Sequence, residues 1–136
     1  MKNLKIILTL FAFISLGFYS FVSVNQDNEW VVPESAIKME NPTDPEDKED
    51  LAIGKSLYDK HCKSCHGKEG YGDGPKAEEI DAYLGDFSLE EFQAQTDGAL
   101  FYKTTEGRDE MPLFSKKIPD DEDRWLIVNY MRTLKE

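Results

Sequence analysis

Cys62-Lys63-Ser64-Cys65-His66 is the stretch that most restricts what this 136-residue chain can become. Two thiols three positions apart on a helical turn can each add across one vinyl group of a haem, and C-x-x-C-H is the attachment run of a c-type haem. The adjacent His66 then projects its imidazole at the iron as the proximal axial ligand. A structural zinc site would want a second Cys or His pair downstream, and after His66 the chain has no further Cys or His. A thioredoxin-like pair belongs beside a βαβ pattern, which this sequence lacks. A plain disulfide would leave His66 and the glycines that follow unexplained.

The chain is the size of one small domain with appendages. Lys2 and Lys5 form a basic start, and residues 6–24 are apolar apart from small or weakly polar side chains. Such a run reads as a signal peptide, and it also approaches the length of a spanning helix. With no cysteine there, a lipoprotein anchor is excluded. Cleaved leader or retained anchor, either arrangement places the domain outside the cytoplasm: periplasmic, or on the outer face of the cytoplasmic membrane. Residues 25–42 read as an acidic tether, with Trp30-Val31-Val32 able to dock on the domain, which occupies 43–136.

The formal charge is −11. A nucleic-acid partner would need a basic face, so this balance argues against one. An acidic electron carrier can be steered onto a basic docking patch of its partner, although the same charge also serves solubility. There is no second C-x-x-C-H and no internal repeat, so one haem is expected.

Helical signals organise the domain. Thr43 with Glu46, or Asp44 followed by Pro45, can start a first helix. Leu51, Gly54, Tyr58 and Cys62 then share one face at helical spacing and deliver the first thiol at the helix end. Gly54 inside a helix suggests close approach of another backbone. A glycine-rich loop, 67–75, follows the motif. Ser88 with Glu91 suggests a short helix, and residues 97–105 another, stopped by Gly107. A last helix starts near Asp120 or Asp121 and carries Trp125, Val128, Tyr130, Met131 and Leu134. No segment shows sustained strand alternation, so the expected fold is all-α.

Iron needs a sixth ligand or an open position. Met131 sits in an amphipathic helix, where methionine is core filler, and Met39 lies in the tether. Met111 stands in an extended run between helices, and Pro112 holds it to extended backbone, so its thioether can turn inward as the ligand opposite His66. His61, just before the motif, suits a surface position better than a ligand position. Arg108, Lys116 and Lys117 are read as solvated charges, with pairing to haem propionates the alternative.

In this order, Gly54 and Tyr58 before Cys62-x-x-Cys65-His66-Gly67, then Gly72-Asp73-Gly74-Pro75, Met111-Pro112 and a last helix with Trp125 and Tyr130, the chain resembles a class I cytochrome c of the small, exported, mono-haem bacterial kind. The resemblance spans about 43–136. It implies a fold of about four short helices wrapped around one haem c bound through Cys62 and Cys65, with the first and last helices crossing closely. It also implies a proline carbonyl accepting the Nδ1 proton of the axial histidine, and Pro75 is the matching position. The expected function is one-electron transfer between respiratory partners, an oxidase, reductase or dehydrogenase, through a transient docking surface and with no catalytic residues. The competing expectation is a haem subunit of a larger membrane-associated oxidoreductase complex. An enzyme or gas sensor would need an open sixth position, which Met111 argues against.

Overall fold

The motif sits where one long helix runs into a single further turn. The computed structural model describes residues 30–136, and the expected leader lies outside them. Among the described residues seven α-helical segments follow one another without a strand: α1 (Glu34–Ile37), α2 (Lys48–His61), α3 (Lys63–His66), α4 (Glu90–Gln93), α5 (Asp97–Glu106), α6 (Phe114–Lys117) and α7 (Asp121–Arg132). The all-α expectation holds. Three of these are long; the single turns α3 and α4 fall where the motif and the Ser88–Glu91 signal place them, whereas α1 and α6 are too short for the sequence periodicity to reveal.

α2 is capped by Asp47, whose carboxylate accepts from the Glu49 and Asp50 amides at 2.8 and 3.0 Å. The expected cap at Thr43 or Asp44 is therefore displaced to Asp47. Thr43 is engaged elsewhere: its hydroxyl donates to Asn41 Oδ1 at 2.7 Å and accepts from the buried Asn129 of α7 at 2.9 Å. Asp44 instead closes the turn before the helix by accepting from the Glu46 amide. The face that α2 buries carries Gly54 and Tyr58, and it lies against α7, which begins at an Asp120 cap. Gly54 meets the Leu126 backbone and Tyr130 there, as the close approach expected from a mid-helix glycine requires.

α5 starts at Thr96, whose side chain accepts from the Ala99 amide at 3.2 Å, and ends at Gly107. It closes the core against α7, where Phe101 stacks on Trp125 with centroids 4.0 Å apart. α7 is buried continuously from Arg124 to Asn129, because α2 and α5 both pack on it. Ser88 does not cap α4: its amide and hydroxyl both pair with Asp86.

Part of the segment read as a tether belongs to the domain. α1 buries Ala36 against α5, and Asn41 donates to Asn129 Oδ1 at 2.7 Å and to Asp97 Oδ2 at 3.3 Å. Its polar composition hid this, because the attachment runs through side-chain amides and one small residue rather than an apolar stripe. Among the described residues no helix is long and apolar enough to cross a membrane.

Candidate functional site

Cys62 ends α2, its amide donating to Tyr58 at 2.8 Å, and the Cys65 and His66 amides return to the Cys62 carbonyl at 3.1 and 3.0 Å. The pentapeptide is thus a helical turn continuing from a long helix, which sets both thiols on one rigid element. Both cysteines are free, Cys62 buried and Cys65 partly exposed. Burial pushes the Cys62 thiol up to about 12, whereas a thiol–disulfide catalyst needs a lowered value. Among the described residues no cluster of three or more His, Cys, Asp or Glu side chains could hold a metal ion.

The loop after the motif is laced to it by backbone bonds. Gly72 donates to His66, Gly74 to Cys65 and Lys76 to Ser64, at 2.8, 3.1 and 2.8 Å. From inside, the Tyr58 hydroxyl donates to the Gly67 carbonyl at 2.8 Å. The first turn of the motif and its exit are held at fixed distance, with Tyr58 fully buried between them.

His66 Nδ1 lies 3.0 Å from the Leu84 carbonyl. A carbonyl can only accept, so Nδ1 carries the proton and the lone pair stands on Nε2. Burial lowers the His66 pKa and the bond to Leu84 opposes that shift. The ring is kept neutral, the form that ligates a metal. This corrects the expectation for Pro75: the structure gives the acceptor role to Leu84, further along the loop. The contact uses a backbone oxygen, which any residue supplies, so no side-chain signature marks it in the sequence.

Phe87 was also missed. Its ring lies 4.7 Å from that of His66 and stacks on Phe92 at 4.3 Å. Its backbone is tied to Gly70 by its amide and to Gln93 by its carbonyl. Tyr83, Leu84 and Leu89 share its loop, so no signal in the sequence sets Phe87 apart from them.

Met111 packs, half-buried, against the same core that holds Cys62, Phe114 and Trp125. A tight turn sets its backbone: Met111 and Arg108 exchange amide–carbonyl bonds of 2.8 and 3.0 Å. Gly107 takes φ +63° at the entry, and a Cβ there would come within 2.4 Å of the Met111 and Pro112 carbonyls. Only glycine serves both requirements. Met131 is buried in α7, and Met39 is 41% exposed. His61 is set edge-on to Phe114 at 6.1 Å, and burial lowers its pKa. Arg108 pairs with Asp109 at 3.4 Å, and Lys117 reaches over the Phe114 ring. An open acidic concavity between Asp44, Asp50, Asp121 and Glu122 lies at the starts of α2 and α7, away from the motif.

The donor set fits a covalently held haem: two unpaired thiols on one helical turn, an imidazole whose Nδ1 is taken by the Leu84 carbonyl so that Nε2 keeps the lone pair, and a thioether in a fixed turn at the core edge. Residues 51–135 match the Cytochrome c family. No curated protein matches the chain. Among solved structures it is similar to a chain of a reducing HAO-like protein complex from Kuenenia stuttgartiensis, with 26% identity and a TM-score of 0.63 over 81% of this chain. That alignment spans about half, 53%, of the Kuenenia chain.

Proposed function

The chain belongs to the cytochrome c family, and from that premise we propose that it is a one-electron carrier with its iron held between His66 and Met111. Family membership brings a covalently bound haem c, with Cys62 and Cys65 in the attachment spacing, and haem-based electron transfer. The haem supplies an iron that alternates between ferric and ferrous states. The chain sets how it does so. His66, oriented by the Leu84 carbonyl, gains basicity from that bond. Met111 contributes a thioether, a ligand that favours the ferrous state and raises the potential.

With both axial positions supplied by side chains, the site has no place for a substrate, so the protein is read as a carrier and not an enzyme. It meets oxidase, reductase or dehydrogenase partners through a small, short-lived interface. It works outside the cytoplasm, with residues 1–24 as a leader, either cleaved or kept as a membrane tether.

The observation that carries this reading is the setting of Met111. It is the methionine that a turn fixes at the edge of the core holding Cys62, while Met131 is helix core. The test is the weak far-red absorption of thioether-ligated ferric haem. Met111→Ala should abolish it, admit carbon monoxide to the ferrous iron, and lower the potential, since axial ligation is a main lever on a range of about 0.8 V. Met131→Leu should change neither, because a volume-conserving core swap costs less than about 1.5 kcal/mol. The reverse pattern, or a wild-type protein that is high-spin and binds carbon monoxide at neutral pH, overturns the reading.

The similarity to a chain of a multi-protein complex supports a second reading, a haem subunit of a larger oxidoreductase complex. Size exclusion of the native protein separates the two: a carrier elutes alone, a subunit with its complex.

A further inference from the structure

We infer that Arg124 is a positioning residue for Met111, clamping the two ends of the loop that presents it; the inference rests on Met111 being the axial ligand.

Arg124 is 4% exposed, on the first turn of α7. Its Nε donates to Thr105 Oγ1 at 3.1 Å. Its Nη1 donates to the Ile118 carbonyl and, at 3.3 Å, to that of Asp120. Nη2 pairs with Asp121, and the guanidinium lies 5.4 Å from the centre of the Phe101 ring. Asp121 is 76% exposed, so water can replace that carboxylate and the pair contributes little. The other bonds have a topological meaning. Thr105 is on the last turn of α5, just before Gly107. Ile118 directly follows α6. The chain between them carries the Arg108–Met111 turn, and one planar group holds both ends.

The physical need follows from chain statistics. A thioether is a weak ligand, so whether it stays in place depends on how often the loop visits the closed geometry. Fixing the ends of a loop removes closure entropy before any bond forms. A guanidinium does this better than an ammonium, because its rigid fork reaches several acceptors at set angles. Burial sharpens the effect, since each lost bond leaves a polar atom without water.

The test uses the ferric holoprotein and imidazole, which competes with Met111 for the iron. The apparent affinity of such a ligand scales with the open fraction of the loop. Arg124→Lys keeps the charge but loses the fork, and should tighten imidazole binding about tenfold, the usual weight of a hydrogen bond from a charged donor. The far-red thioether band should weaken in parallel. Thr105→Val removes only the Nε arm and should act in the same direction by a few-fold, which keeps the idea testable if Arg124→Lys folds poorly. Asn41→Ala, which cuts the tie between α1 and α7, should lower the melting temperature without tightening imidazole binding. Unchanged imidazole affinity in Arg124→Lys and Thr105→Val overturns the inference. So does an equal gain in Asn41→Ala, which would mark a general loss of stability. A wild-type protein lacking the far-red band overturns the Met111 reading, and this inference with it.

Discussion

A Cβ on Gly54 would lie 2.1 Å from the backbone oxygen of Leu126 and 3.3 Å from Cβ of Tyr130. α2 and α7 therefore touch at the level of their backbones, and the obstacle is main chain that cannot rotate away. Their contact also bears on the site, because α2 ends in Cys62 and α7 carries Arg124.

Gly54→Ala should accordingly push the helices apart. The overpacking cost, toward the upper end of about 1–3 kcal/mol because main chain blocks the new Cβ, outweighs the gain of up to about 1 kcal/mol in helix propensity. Denaturant unfolding of the holoprotein measures the difference. A variant as stable as wild type would contradict the close crossing.

Covalent attachment makes the cysteines separable. Cys62→Ser and Cys65→Ser should each leave one thioether and sharply lower the yield of holoprotein, since the haem forms part of the core that a chain this short otherwise lacks. The double variant should release all its haem into acid acetone. Haem that stays with the doubly substituted protein after extraction would refute the attachment.

Alkaline stability should report on Tyr58. Burial raises its phenol above the usual 10.0, so the folded state keeps the proton at a pH where the unfolded chain loses it. Stability from this group is intact below pH 10 and declines as pH rises beyond it. Tyr58→Phe should cost about 1–2 kcal/mol near neutrality, because the Gly67 carbonyl loses its donor. It should also flatten the decline above pH 10. Denaturation midpoints of both proteins across that range check it, and parallel curves would count against the buried phenol.

The features legible in the sequence are those written in covalent or short-range chemistry. Cys62, Cys65 and His66 declare the haem because thioether formation dictates their spacing. α5 and α7 are bounded by Gly107 and by the Asp120 cap, local signals that survive without a tertiary context. Gly54 announced a close crossing, since a glycine in a helix costs stability unless something needs the space. The choice of Met111 over Met131 as the proposed ligand rests on another local signal, the restriction that Pro112 places on the backbone before it.

What only the tertiary structure decided runs through groups whose partners are distant in the chain. The acceptor for His66 is the carbonyl of Leu84 and not of Pro75, a choice made by the path of the loop, since every residue carries the same carbonyl. Thr43 does not cap the helix because its hydroxyl is taken on both sides, donating to Asn41 and accepting from Asn129. Residues 34–41 joined the domain through Asn41 of that network and through Ala36 packed on α5. Arg124 reads in the sequence as one more charge at a helix start; folding buries it between Thr105 and Ile118. Spacing along a chain encodes chemistry that neighbours perform together. A polar atom's partner is set by where burial denies it water, and that is known only once the chain has closed.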